Sequence, residues 1–127
     1  MDVKEQFRAV WGIARESGIC QDEFEPWHEC FKASTIWPIG SRSGEMIGAV
    51  MFHGMPDASI MMHVVVKPEW EGKWLNKSIL KAFKGWQPGV SIVALAADGA
   101  REKALKRFGF TPIDKEPLLG FTWFVRK

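Results

Sequence analysis

The sequence predicts one α/β domain, built on a mixed β-sheet with helices on both faces. Residues 59–66 contain a nearly continuous apolar run from Ile60 to Val66, which is typical of a buried strand. Over residues 74–86 the apolar positions change to helical spacing, and residues 90–96 form a second buried strand pattern. A strand, a helix and a strand in this order require a parallel pair joined by a right-handed crossover.

The other elements follow from apolar periodicity and from the turn residues between them. They are helices over residues 3–17, 23–33 and 99–108 and strands over residues 34–39, 45–53, 110–113 and 121–125. Asp2 and Glu5 form a capping box for the first helix, and Asp98 is expected to cap the last one. The glycine-rich residues 40–44 indicate a hairpin. An antiparallel run therefore precedes the parallel unit, and the sheet is mixed.

Length and composition exclude several classes of protein. The chain has 127 residues, a charged fraction of 25% and a formal net charge of +2. This charge is too small to indicate a nucleic-acid or membrane-surface partner. We find no apolar segment long enough for a membrane span and no signal peptide. Cys20 and Cys30 are therefore expected to be reduced thiols in a cytoplasmic protein.

Two segments carry motifs at a defined separation. Residues 64–73 read Val-Val-Val-Lys-Pro-Glu-Trp-Glu-Gly-Lys, and residues 106–110 read Lys-Arg-Phe-Gly-Phe at the end of a helix. With the order of elements, these segments resemble the GCN5-related N-acetyltransferase (GNAT) superfamily, whose valine-rich strand leads into a pyrophosphate loop. The resemblance spans nearly the whole chain, and its compact form is similar in style to members from tailed phages.

The resemblance implies direct transfer of an acetyl group from acetyl-CoA, the co-substrate, to an amine. It also implies that the parallel strands splay apart, so that the pantetheine arm binds backbone groups in the gap. The implied coenzyme-binding residues are Val64, Val65, Val66, Gly72, Lys73, Trp74, Leu75, Asn76, Lys77 and Arg107. Free N–H groups at a helix start bind phosphate whatever the side chains are. No metal is expected.

Several positions depart from the pattern of the family. Glu71 stands where the family has Arg or Gln, Trp74 where it has Gly, and Asn76 where it has Gly or Ala. Leu105 stands where the family often has a tyrosine that protonates the leaving thiolate, and the chain contains no tyrosine. A second hypothesis is therefore an inactive GNAT-fold protein, a binding or structural component of a phage particle. Its Trp and Phe residues would then contact a virion partner or a second copy.

Two residues are candidates for the general base. His63 lies in the middle of the central strand and shares a face with Val65, and a neutral histidine there could accept the amine proton. The alternative is a buried histidine satisfied by a neighbour. His53 is expected across the sheet from it; a metal bound by this pair is another alternative, although two ligands are not a site. Glu69 is a rival base, or simply a solvated loop carboxylate.

The acceptor is expected to be the amine of a small molecule or of a protein. In the family, the second helix borders the acceptor, so Glu23, Glu25 and Glu29 are candidate lining residues. The alternative is that these carboxylates form a solvated helix face. Nucleic-acid binding through the lysines of residues 73–84 is a third, weaker hypothesis because the net charge is low.

Overall fold

The computed structural model describes residues 2–96, 99–113 and 121–127. The helices are α1 (Val3–Glu16), α2 (Phe24–Phe31), α3 (Lys77–Gly85) and α4 (Gly99–Arg107), with a short 3₁₀ helix at Pro68–Trp70. The strands are β1 (Thr35–Gly40), β2 (Met46–Gly54), β3 (Ile60–Val66), β4 (Ile92–Ala96), β5 (Thr111–Pro112) and β6 (Thr122–Arg126). The predicted elements are thus all present. The predicted Asp98 cap lies outside the described residues.

The sheet is mixed, as predicted, and helices flank it. Its six strands are ordered β1-β2-β3-β4-β6-β5. The β3–β4 pair is parallel, whereas β1–β2, β4–β6 and β5–β6 are antiparallel. The chain divides into two compact units, Met1–His53 with His63–Trp74, and Gly54–Met62 with Leu75–Lys127, so that each contains part of β3.

The parallel pairing of β3 and β4 is short. Its register contains Ile60 opposite Ile92 and Met61 opposite Val93, and the next residues along the two strands, Met62 and Ala94, are not in it. By contrast, β4 is paired with β6 at all five of its residues, through to Ala96. The parallel pairing thus covers two residue pairs, whereas β4 is paired with β6 along its whole length.

The first unit has a core formed by α1, α2 and one face of the strands. The apolar stripe expected for α1 comprised Val3, Phe7, Val10, Trp11 and Ala14. Phe7, Val10 and Ala14 are buried, as is Ile13, whereas Trp11 is half-buried and Val3 is exposed at the start of the helix. The buried residues of α1 form one cluster with Cys20, Phe24, Trp27, Ala49, Met51 and Val65. Asp2 caps α1 as predicted, since its side chain accepts the N–H of Glu5 at 2.8 Å.

The second unit has an aromatic core around Phe83 of α3. The Phe83 ring lies 4.7 Å from the ring of Phe108 and 5.9 Å from that of Phe110, measured between centroids. Arg126 of β6 lies over the same ring at 4.6 Å. Its guanidinium also donates to the carbonyl oxygens of Phe83 and Trp86 at 3.3 and 3.1 Å, so it fixes the end of α3 to β6.

The start of α3 corrects the sequence prediction. The helical spacing predicted a start at Trp74, but the helix begins at Lys77 and Asn76 is its N-cap residue. Asn76 adopts an extended backbone, and its side chain accepts the N–H of Ile79 at 2.9 Å. A capped end satisfies one of the unpaired donors of the first turn, so the helix starts three residues later than apolar spacing alone indicates.

No helix in the described part of the chain is long and apolar enough to span a membrane. Both cysteines are free thiols: Cys20 is buried and Cys30 is exposed. All seven tryptophans are buried or half-buried. The contact surface expected from the Trp and Phe residues is not tested by this observation and stays a prediction.

Candidate functional site

His63 lies on β3 and pairs with His53 of β2. The two Nε2 atoms are 3.1 Å apart, within hydrogen-bond distance. Phe31, the last residue of α2, contacts both imidazoles: its ring centroid is 5.3 Å from that of His63 and 6.0 Å from that of His53. The expectation that His53 lies across the sheet from His63 is therefore confirmed.

Burial keeps His63 neutral. Burial, together with the smaller electrostatic effect of the neighbouring His53, lowers the pKa of His63 to about 4. At pH 7 the ring is then an uncharged imidazole, with one nitrogen carrying a proton and the other a lone pair. This is the protonation state that a general base needs before it accepts a proton.

A buried hydroxyl lies just before β1. Ser34 immediately precedes Thr35, the first residue of β1, which is paired with Phe52 of β2. The Oγ atom of Ser34 is buried and has no hydrogen-bond partner among the described residues. Since buried hydroxyls nearly always have a partner, this atom marks a place suited to water or to a polar ligand. No local pattern in the sequence predicts the burial of this hydroxyl, because that burial depends on tertiary packing.

The segment after β3 forms the predicted loop. Lys67 directly follows β3, and its ammonium is bound to Glu45 at 2.5 Å, which raises the pKa of Lys67. Glu69 lies in the 3₁₀ helix and is exposed, a position that favours the solvated-carboxylate alternative over a role as base. Gly72 has a φ of +76°, a conformation that glycine adopts at little cost.

The residues that lead into α3 differ in exposure. Lys73 and Lys77 are exposed, whereas Trp74 is buried, with 6% of its surface accessible. The large ring of Trp74 is therefore packed inside the protein and does not stand at the exposed surface of the loop. Leu75 is half-buried, and Asn76 is occupied as the N-cap.

The remaining predicted coenzyme residues lie on β3 and α4. Val65 and Val66 are buried and Val64 is half-buried, so these residues could offer a ligand their backbone but little of their side chains. Arg107 is exposed at the end of α4. Leu105, at the position where the family often has tyrosine, is buried with 5% of its surface accessible.

The carboxylates of the second helix have solvent-side partners. Glu29 binds Lys32 at 2.9 Å, and this contact lowers the pKa of Glu29. Glu23 lies 3.9 Å from Arg15, and both side chains are largely exposed. These observations favour a solvated helix face. Among the described residues, no group of three or more His, Cys, Asp or Glu is placed to hold a metal ion.

Sequence searches against family models and against curated proteins found no match. Solved structures do match. A phosphinothricin acetyltransferase of the GNAT superfamily from Sinorhizobium meliloti, in complex with AcCoA, superposes with a TM-score of 0.73 at 17% identity, covering 98% of this chain and 84% of that one. A histone acetyltransferase HPA2 and related acetyltransferase from Corynebacterium glutamicum has a TM-score of 0.72 at 13% identity, covering 98% and 92%.

The chain has the GNAT fold. A chimera of the spermidine N-acetyltransferase SpeG from Vibrio cholerae and hSSAT gives the same result, with a TM-score of 0.64 at 13% identity over 96% of this chain and 90% of that one. The resemblance inferred from the sequence is thus confirmed for the architecture. At these identities the similarity concerns the fold, and the likeness to phage members stays a prediction.

Proposed function

We propose that this GNAT-fold protein is an N-acyltransferase that moves an acetyl group from acetyl-CoA directly to the amine of an acceptor. The observation that supports this most strongly is the end of the parallel pairing after Met61 and Val93. Backbone N–H and C=O groups that leave a ladder need other partners. Ala94, Leu95 and Ala96 keep their pairs with β6 on one side, which leaves the other edge of β4 for a ligand that carries amides, as pantetheine does.

The first turn of α3 suits the pyrophosphate of the co-substrate. The side chain of Asn76 accepts the N–H of Ile79. The N–H groups of Lys77 and Ser78 are the remaining donors of the first turn, before the hydrogen bonds within the helix begin. These donors and the positive end of the helix dipole favour an anion. The exposed ammonium groups of Lys73 and Lys77 add charge of the right sign. Because Trp74 is buried, it does not replace glycine as an obstacle on the exposed side of the loop.

His63 is the best candidate for the general base. The amine nitrogen must lose a proton as it forms its bond to the thioester carbonyl carbon, and the bond from that carbon to the coenzyme sulfur breaks. The neutral imidazole of His63 accepts the proton. The chain has no tyrosine, so the departing thiolate takes its proton from water or leaves as the anion. Positioning of the two reactants supplies most of the rate.

A titration with acetyl-CoA followed by an acceptor assay tests the proposal. We expect calorimetry to show saturable binding, and mass spectrometry to show acetylated amine with at least one acceptor from a panel of polyamines, amino-acid analogues and lysine peptides. The panel follows the named substrates of the structural neighbours, a spermidine and a phosphinothricin acetyltransferase. Absence of heat and of a thermal shift at millimolar acetyl-CoA would contradict the proposal.

The second candidate function is that of an inactive GNAT-fold component that binds a partner, in the cytoplasm or in a virion. The features that favour it are the exposed Glu71 in the loop and the buried Leu105 at the family's tyrosine position. The same titration separates the two candidates, because the inactive component requires no acetyl-CoA binding, whereas the transferase requires it.

A further inference from the structure

We propose that His53 is a positioning residue for His63, and that the two imidazoles form a relay which moves the amine proton away from the reacting centre. This inference rests on the proposed function. It assigns a role to His53, which the resemblance to the family does not.

The geometry of the pair restricts how His63 can act. The two Nε2 atoms are 3.1 Å apart, so one of them donates a proton to the other. A neutral imidazole has a single N–H and a single lone pair. If Nε2 of His63 accepted from His53, its lone pair would be engaged and no base would remain. If Nε2 of His63 donates, the lone pair of its Nδ1 is available to the amine.

The second arrangement gives a balanced proton transfer. The amine proton binds to Nδ1 of His63, and the proton on Nε2 of His63 passes to Nε2 of His53. His63 is then neutral again with its proton on Nδ1, and His53 is an imidazolium that carries the single positive charge. Exchange of protons with water restores the starting tautomers before the next turnover. No oxidant, metal or further reactant is needed.

The environment explains why the proton does not stay on His63. Burial and the neighbouring His53 both oppose a charge on that ring, and they lower its pKa to about 4. A proton that is passed on leaves His63 in the uncharged form that its surroundings favour. The relay thus lets a buried and weakly basic imidazole serve near pH 7, where a good general base requires a pKa near the working pH.

The groups packed around the pair leave His53 as the residue that orients His63. From α2, Phe31 contacts both rings, while Glu29 and Lys32 are exposed and bind each other at 2.9 Å. In the described part of the chain, the hydrogen bond and the ring contacts of His63 are made with His53 and Phe31, so no carboxylate takes the orienting role.

Two variants of His53 test the relay in the full-length protein. His53→Gln keeps an oxygen that accepts from Nε2 of His63 but cannot hold the proton, and His53→Phe removes both functions. We expect His53→Gln to lower kcat/KM by about tenfold to a hundredfold, with KM for acetyl-CoA unchanged, and the acidic limb of the pH profile to move, because protonation of a second imidazole no longer blocks the transfer. His28→Gln is the matched control, since His28 stacks on Phe24 and should keep both the rate and the limb.

A spectroscopic measurement complements the kinetics. We expect the ¹⁵N spectrum of the protein without ligands at pH 7 to show His63 protonated on Nε2, and His53→Phe to abolish this preference. A His63 protonated on Nδ1 overturns the relay. A His53→Gln variant with an unchanged rate, or with a lower rate and an unmoved pH limb, overturns it as well. If the unaltered protein shows no turnover, the proposed function is contradicted instead of the relay. The acetyl-CoA titration of the unaltered protein distinguishes these two outcomes.

Discussion

The side chain of Asn76 accepts a hydrogen bond from the N–H of Ile79 at 2.9 Å. This bond fixes the first residue of α3 and decides which backbone donors remain at that end of the helix. It also explains how Asn can stand where the family has Gly or Ala. Here the residue has a structural task of its own, since it caps the helix whose first turn is the proposed phosphate site.

Replacement of this cap should weaken the protein measurably. We expect Asn76→Ala to lower the free energy of unfolding by about 1 kcal/mol, because it leaves the N–H of Ile79 without its partner. Asn76→Asp should keep most of the stability, since a carboxylate accepts the same bond and suits the helix dipole. Urea unfolding measures both variants. An alanine variant as stable as the unaltered protein would show that the bond contributes nothing.

Replacement of glycine by alanine should destabilise the protein at Gly48 and stabilise it at Gly12. A Cβ atom at Gly48 of β2 would collide with the carbonyl oxygen of Val65 and the Cα of Val66. We therefore expect Gly48→Ala to destabilise the protein by about 1–3 kcal/mol or more. Gly12 in α1 has open space around its Cβ position, so Gly12→Ala should stabilise by about 0.5–1 kcal/mol. Thermal unfolding of the pair checks this, and two changes of equal sign would contradict it.

The buried hydroxyl of Ser34 should be dispensable for stability. Because Oγ has no partner among the described residues, removing it also removes the cost of an unsatisfied polar group, which is about 1–3 kcal/mol. We expect Ser34→Ala to be neutral or to raise the free energy of unfolding in urea. A loss of more than about 1 kcal/mol would show that the hydroxyl is hydrogen-bonded in solution, for example by an ordered water.

The charge of Lys73 should matter for the co-substrate. We expect Lys73→Glu to weaken acetyl-CoA binding by at least about tenfold, or 1.4 kcal/mol, because it places a negative charge beside the proposed pyrophosphate position. Lys103→Glu makes the same change in net charge at an exposed position of α4 and should leave the affinity within about twofold. Calorimetry gives both constants. Equal affinities of the two variants for acetyl-CoA would show that the loop is not part of the phosphate site.

The protein should lose stability as the pH is lowered through a range set by the pKa of His63. The pKa of this residue is about 4 in the folded protein and 6.5 in its ordinary state, so between these values the unfolded chain binds the extra proton. The free energy of unfolding therefore decreases as the pH falls from about 6.5 to about 4, and this contribution is constant below that. We expect His63→Gln to flatten the curve in this window when urea unfolding is measured at several pH values. Parallel curves would contradict the assignment.

The strand–helix–strand unit and the mixed sheet could be predicted because apolar periodicity reports which faces are buried. Residues 60–66 and the positions Phe7, Val10 and Ala14 of α1 follow this rule, whereas Val3 in the first turn of α1 is exposed. Helix ends are harder: the start of α3 depends on a single cap bond at Asn76, which competes with the apolar spacing of Trp74 and Leu75. Trp74 could be predicted to be apolar, but not where its ring would be packed.

The sequence by itself determined the elements, their order and the parallel crossover, since these depend on local periodicity, turn residues and the handedness of the chain. It also determined His63 as the candidate base, because few side chains titrate near neutral pH. Only the tertiary structure decided that β3 and β4 stop pairing after Met61, that His53 reaches Nε2 of His63, and that Ser34 has a buried hydroxyl. These features depend on strand register and on distances between residues far apart in the chain, which no local pattern encodes.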